Sequence, residues 1–573
     1  MPRSQNPKNL FLAREPLCGH TTTARVTGNN VLYSGVCMNI WDWVIVAVYM
    51  AGMVLLSALV GRFQKDERDY YLGGNRMHYW TIGLSTMATQ CSTNSLLGAP
   101  AFVIAAGGLL WLQYELAVPL AMVGVMLFLL PFFRRRKVVS VYEYLEHRFG
   151  IVSRTLLSVL FQILRAFATG VTVYGISLVI QKLVGIPFWV AVLVLGTITV
   201  IYDFLGGIRA VVYSDVIQMF ILYIGIVACL VCAVDLLGGW RAMWAAFPAE
   251  QAQTLNFSGH GFGDGKTFAF WPMLLGGLFL YMSYYGCDQT QVQRELSARN
   301  VDETNMSLFL NGLLRFPLVI TYCLVGVAIA AYLATHPDFI GAISDPATGE
   351  TNYNLAVPAF CLEFLPHGII GLIIVSLFAA AMSSLDSTIN SLSATTMRDI
   401  IERFFVKDKL SQATAILWSR LTTVFWGALC VAFSFFVGSI STTIIESINK
   451  IGSLINGPIL ATFLLATLTR RTNDIGVSVG IVAGFVVNLL LWRFAPSVSW
   501  LWWNVIGCAV TAGVGYGISL LTRKNTKPDI DDLIWHRDSK SYFQYQRNWP
   551  RYQLVLVAYF FVMLAVLWAI GNR

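Results

Sequence analysis

From Met38 onward the chain alternates long unbroken apolar runs with short polar segments, and the runs are about 20 residues long, the length needed for a helix to cross a bilayer. We read about fourteen such spans, near 40–60, 77–105, 109–133, 155–183, 187–204, 210–236, 268–289, 307–333, 366–395, 414–438, 446–468, 475–495, 499–521 and 551–571. A membrane β-barrel would instead show shorter segments of alternating polarity. The pattern therefore predicts an all-α polytopic membrane protein. One run changes character along its length. Gly368 to Leu377 is almost pure hydrocarbon, whereas Phe378 to Ala394 carries a hydroxyl-rich polar stripe. At about 100° per residue, Ser383, Asp386, Ser387, Asn390 and Ala394 share one face, with Ser384, Ser391 and Ser393 beside it. Intramembrane serines can simply bond back to their own helix or allow close packing. A carboxylate at membrane depth must be paired, solvated or bound to an ion, so Asp386 marks a functional stretch. A hard cation held by hydroxyls, carbonyls and a carboxylate suits it.

Two spans read as interrupted. The second holds Ser85 to Ser95, almost all polar, at mid-membrane; the seventh holds Gly276-Gly277 and then Tyr281 to Gln289. Such a run is tolerated only where an unwound backbone lines a cavity or is buried in protein. The interrupted spans open two successive groups of five, at approximately 77–236 and 268–468. Because five is odd, the second group enters the membrane inverted relative to the first. Broken helices at matching places in inverted repeats point to a secondary transporter with its site at the midplane.

Composition agrees with the pattern: 56% of the 573 residues are hydrophobic and 12% charged, too few charges to cover a soluble protein of this length. The net charge of +8 is concentrated in particular loops, so it reads as topology and not as a nucleic-acid surface. Arg62, Lys65 and Arg68 follow the first span; Arg134 to Lys137 follow the third; Arg398, Arg403, Lys407 and Lys409 follow the ninth; Arg470 and Arg471 follow the eleventh; Arg523, Lys524 and Lys527 follow the thirteenth. The segment 334–362 has neither Lys nor Arg. The basic loops are expected on the cytoplasmic side of the cell (inner) membrane, which puts both termini outside. Residues 1–37 lack the apolar core of a signal peptide and read as a disordered tail, with Met38 the expected natural start and 38–573 the transporter domain. Most of the ten cysteines lie inside apolar stretches as small hydrophobes, leaving Cys18 and Cys37 as the only pair placed to form a disulfide. Gly259 to Thr267 looks like a phosphate loop, but His260 stands where that pattern needs Gly and no strand precedes it. It reads as a linker, so no ATP site supports a primary pump.

Four motifs in order resemble the sodium:solute symporter family, over roughly Asp42 to the end of the eleventh span: Tyr71-Leu-Gly-Gly74, Gly206 to Gln218, Asp288 to Arg294, and Ala380 to Ser384 with Asp386-Ser387 and Asn390-Ser391. The resemblance implies a LeuT-type 5+5 inverted-repeat core with flanking helices, sodium-coupled uptake by alternating access, and no enzymatic reaction. It also implies a common sodium site made of the carbonyls of Ala88, Cys91 and Ala380 and the hydroxyls of Ser383 and Ser384. Some relatives have a second site, which here would take Asp215, Ser383 and Ser387; this chain departs from them in having Asp386 where they have Ser. For substrate, the resemblance brings forward Gln90, Ser92 and Ser95 on the second span, Glu115, which resembles a ligand for sugar hydroxyls, and Arg165, which resembles a carboxylate clamp. A buried Arg suits bidentate carboxylate binding. An alternative is that Glu115 and Arg165 pair with each other or with Asp386. The expectation is a symporter that uses Na+ as coupling ion to import a small hydroxylated organic acid, such as a sialic-acid-like sugar acid or a monocarboxylate. A neutral sugar or polyol, or a transporter-like sensor that binds without moving its ligand, remains open.

Overall fold

In the computed structural model, which describes residues 38–90, 94–344, 349–406, 410–436, 444–522, 530–535 and 545–572, the first apolar run forms α1 (Ile40–Gly61). The second begins as α2 (Tyr79–Gln90) and resumes at Asn94–Gly98 in wide π-type turns. The third opens with tight turns at Gly108–Leu116 and continues as α3 (Ala117–Phe128). Then come α4 (Ile151–Val184) and α5 (Phe188–Leu236). At 1.5 Å per residue, the 49 residues of α5 are far too many for one crossing, and the helix breaks at Gly207, whose φ of 53° and ψ of −158° are open to glycine alone. The expected fifth and sixth spans lie on either side of that break.

The seventh span is α6 (Gly277–Cys287) followed by α7 (Gln289–Leu296). Its interruption is not at the glycine pair: Gly276 and Gly277 stay helical, and the chain extends at Asp288 (φ −82°, ψ 123°). Asp288 accepts the amide of Thr290 at 2.8 Å and so caps α7. The two glycines serve packing instead, since a Cβ on Gly276 would stand 2.4 Å from the Leu501 carbonyl and one on Gly277 2.8 Å from the Tyr114 ring. In the second span, likewise, Ser85 to Gln90 remain α-helical; the expected unwinding can begin only beyond Gln90.

After α8 (Val301–Thr335), the polar-striped run is α9 (Ile369–Thr395), and α10 (Gln412–Phe436) follows. The eleventh span is interrupted too, as α11 (Ile444–Ser453) and α12 (Asn456–Leu468). The carbonyls of Ser453 and Leu454 freed by this break accept the Asn488 amide at 3.1 and 3.0 Å. Pro458 falls in the first turn of α12, where a missing amide hydrogen costs nothing. Three long flanking helices follow among the described residues: α13 (Asp474–Phe494), α14 (Trp500–Leu521) and α15 (Trp549–Gly571). Among the described residues, ten helices are long and apolar enough to cross a membrane.

Helix α9 is the hub, packing on α5, α4, α1, α10, α2 and α7. Its N-terminal end is held by Asp42 of α1, whose carboxylate accepts the amides of Gly368 and Gly371 at 2.7 and 2.9 Å. An acidic side chain there satisfies orphan donors and complements the positive end of the helix dipole. On the face carrying the basic loops, every residue of α7 is buried, and Arg134 donates to the carbonyls of Glu295, Leu296 and Ala298. Arg154 pairs with Asp399 and Glu146 on the same face. The loop that resembles a phosphate binder is closed on itself: Asp264 accepts the amides of His260, Gly261 and Lys266 at 2.7, 3.1 and 3.1 Å. These bonds, the His260 amide foremost, hold its carboxyl down to about 2, and amides that a phosphate would need are already taken. Cys18, Cys37 and the expected tail of residues 1–37 lie outside the described residues.

Candidate functional site: a cavity and a buried carboxylate cluster

The stripe on α9 turns toward α5, and nearly every polar group on it finds a partner. Ser383 donates to Asp215 at 2.5 Å, and Ser85 of α2 donates to the other oxygen of that carboxylate at 2.5 Å. Asp386 accepts the Tyr202 hydroxyl at 2.5 Å and the Ser387 hydroxyl at 2.9 Å, together with the Ser387 amide. Asn390 donates to Asp203 at 2.9 Å and accepts from Gln293 at 2.7 Å. All of these side chains are buried. The stripe is therefore a seam between helices whose carboxylates come from both sides. A hydroxyl has one hydrogen and two lone pairs; Ser383, having given its hydrogen to Asp215, keeps its lone pairs available to a cation. Ala88 and Ala380 are buried on the facing helices α2 and α9, and Ser384 turns to the adjoining cavity. Cys91 and Ser92 lie outside the described residues.

One neighbour of this cluster carries a charge the sequence reading did not assign to it. Arg294 of α7 is fully buried; its Nη2 reaches Asp215 at 3.1 Å and also Ser387, its Nε donates to Ser85 at 2.7 Å, and Nη1 donates to the Thr290 carbonyl.

Beside the cluster lies a cavity of about 870 Å³, continuous with solvent. Gln90 and Ser95 line it, as do Thr169 and Thr172 of α4, Tyr281 and Tyr284 of α6, and Asn449 and Asn456 at the interrupted α11–α12. Trp111 and Tyr114 add aromatic walls, so the cavity combines apolar faces with a few fixed polar groups, as small-molecule sites do. Gln90 accepts the Tyr285 hydroxyl, tying α2 to α6.

Two arginines stand in the cavity wall, each over a tyrosine ring of α6. Arg165 lies over Tyr284 at 5.4 Å and Arg315 over Tyr281 at 5.2 Å. Their charges are met differently. Arg315 is held by Glu115 through two bonds, 2.6 and 3.1 Å long, and Tyr281 donates to the same carboxylate at 3.2 Å. Glu115 is completely buried behind Arg315 and does not itself line the cavity. Arg165 has its carboxylate, Asp288, at 3.7 Å, donates to Thr290 at 3.1 Å, and leaves Nε without a partner. Neither of the pairings considered from sequence occurs: Glu115 meets Arg315, Arg165 meets Asp288, and Asp386 meets Tyr202. Arg315 and Asp203 were missed, although each is a charge inside an apolar run, the signal that had singled out Arg165 and Asp386.

Residues 70–484 match the model of the sodium:solute symporter family. Among curated proteins, the chain is 28% identical over 514 residues to the sodium/sialic acid symporter NanT of Aliivibrio fischeri, covering 87% of this chain and 97% of that one. It is 29% identical over 461 residues to human sodium-coupled monocarboxylate transporter 1, covering 78% and 73%. Among solved structures, a sodium-coupled sialic acid symporter in a substrate-bound outward-open state superimposes with a TM-score of 0.75 at 26% identity, covering 85% of this chain and 99% of that one. The fold is that of the LeuT-type sodium symporters, as the family resemblance implied. The chain belongs to the sodium:solute symporter family.

Proposed function

We propose that the protein imports a small hydroxylated carboxylate, a sialic-acid-like sugar acid or a monocarboxylate, by sodium-driven alternating access in the cell (inner) membrane. The observation that carries this reading is Arg165: it reaches the cavity with Nε unpaired and its own carboxylate partner no closer than 3.7 Å. A substrate carboxylate would complete its fork. The hydroxyls and amides of Gln90, Ser95, Thr169, Thr172 and Asn449 offer partners for substrate hydroxyls, and Ser92 belongs to the same polar segment. Sodium would lie between α2 and α9, held by the carbonyls of Ala88, Cys91 and Ala380 and the hydroxyls of Ser383 and Ser384. Carbonyl and hydroxyl oxygens suit a hard monovalent ion. The two arms of the machine would be the inverted repeats near 77–236 and 268–468. The basic loops would be cytoplasmic and both termini outside. The protein acts as a carrier and not as an enzyme. A neutral sugar or polyol is the weaker reading, because Glu115, the residue that favoured it, stands behind Arg315.

The test is a ligand screen by thermal shift on purified protein, in sodium and in choline buffer, followed by uptake of the best ligand into proteoliposomes. A sugar acid or monocarboxylate that stabilises only with sodium, and is then taken up, supports the reading. Stabilisation by neutral sugars alone would refute it.

A further inference from the structure

Of the charged groups buried around α9, Arg294 is the one whose position bears on ion coupling. The second cation site suggested by the resemblance draws its oxygens from Asp215, Ser387 and Ser383, with Asp386 beside them. In the structure that oxygen set already holds a cation. Arg294 sits on Asp215 at 3.1 Å and on the Ser387 hydroxyl, and it holds Ser85, the other serine that donates to Asp215, at 2.7 Å. Through Ser387 it also reaches Asp386, which accepts that hydroxyl at 2.9 Å. The guanidinium is completely shielded from solvent, as are Asp215 and Asp386.

A sodium ion entering this group would share two of its oxygens with a fixed positive charge where little solvent screens the repulsion. Nor can Arg294 simply lend its charge elsewhere. Its Nη1 is tied to the Thr290 carbonyl, and α7, which carries it, is buried at all eight residues. The residues present at the second site therefore do not fit a second sodium ion.

We propose that Arg294 is the resident cation of this carboxylate cluster, and that the chain binds a single sodium ion, at the Ser383 and Ser384 side of α9. This rests on the sodium-coupled reading above and adds its stoichiometry. Asp215 then works as an anchor: it takes the hydrogen of Ser383 and so turns that hydroxyl's lone pairs toward the one coupling ion. Arg294 and Asp215 are positioning residues under this assignment, not ligands of a second ion.

The experiment is equilibrium binding of radioactive sodium to the full-length protein in lipid nanodiscs, with choline holding ionic strength constant and no organic substrate added. One ion per chain, with a Hill coefficient near one, is expected. Two ions per chain would overturn the proposal while leaving sodium coupling intact, and no saturable binding would overturn both. Arg294→Gln removes the resident charge and keeps hydrogen-bonding capacity. It should admit a second ion, raising the stoichiometry toward two, and Arg294→Gln with Asp215→Asn should return it to one. A folded Arg294→Gln protein that still binds one ion would show that the guanidinium is not what excludes the second. Should that variant fail to fold, the unaltered protein's stoichiometry still decides.

Discussion

Arg165→Lys separates the roles of charge and shape in the cavity. The structure leaves Arg165 with Nε unpaired, one bond to Thr290 at 3.1 Å and Asp288 at 3.7 Å, a distance beyond a hydrogen bond. Nε and one terminal nitrogen form the planar fork that a carboxylate accepts in parallel. Lys preserves the charge and can reach a carboxylate with one bond, but it cannot reproduce the fork. A hydrogen bond to a charged group contributes about 1.5–3 kcal/mol. Losing one of two should therefore raise the KM for an acidic substrate roughly ten- to 150-fold, at 1.4 kcal/mol per tenfold. The assay is the initial rate of labelled sialic acid or monocarboxylate uptake into proteoliposomes against concentration. The difference in melting temperature between sodium and choline should be unchanged, because the sodium ligands we propose on α2 and α9 are on other helices than Arg165, which belongs to α4. A KM within about threefold of the parent's, well below that range, would refute the clamp and leave Arg165 as a structural partner of Asp288.

Sodium should stabilise the purified protein by about 2.7 kcal/mol at a hundredfold excess over its dissociation constant, and Ser383→Ala should reduce this; equal melting in sodium and choline would exclude the site. Glu115→Gln should cost about 3–5 kcal/mol by leaving Arg315 buried without its carboxylate, whereas Glu115→Leu with Arg315→Met should recover much of the loss; chemical denaturation of the purified variants checks both. On the basic face outside the membrane, burial and then the nearby Glu402 push the Glu67 carboxyl up to about 8. The folded state thus favours the protonated acid, so Glu67 contributes stability at low pH that is lost as pH rises through about 8. Glu67→Gln should flatten the fall in melting temperature between about pH 4.5, the group's ordinary value, and about pH 8, above which Glu67 adds no further slope.

Much of the architecture was legible because each crossing writes its own record: a run of apolar side chains long enough for a bilayer, closed by Arg-rich segments. The break at Gly207 could be anticipated from Gly206-Gly207 between two runs, since 49 residues cannot cross once. The break at Asp288 was less visible. Gly276-Gly277 offered the stronger local signal, yet those glycines turned out to admit Leu501 and Tyr114, contacts far away in sequence that no local pattern records. The interruption between α11 and α12 was missed for the same reason, as it depends on Asn488 of α13 to take up the freed carbonyls.

The site divides along the same line. The stripe on α9 is a property of one helix, so its serines and Asp386 could be read by angle alone. What each of them meets is a property of other helices. Arg294 lies 79 positions from Asp215, and Glu115 lies 200 from Arg315. Periodicity gives a face and no occupant: it puts Ser383, Asp386 and Ser387 on one side of α9, and the family resemblance alone joined Asp215 to them, without saying whether an ion or a side chain fills the space between. An ionised buried carboxylate is stabilised by a positive charge nearby, and either a coupling ion or one of several arginines in or near the apolar runs, Arg165, Arg294 and Arg315 among them, could supply it. Choosing among them took the fold of α7, whose capped start at Asp288 sets the direction in which Arg294 points. The carboxylate cluster is thus decided by a helix break that carries no hydrophobic signature of its own.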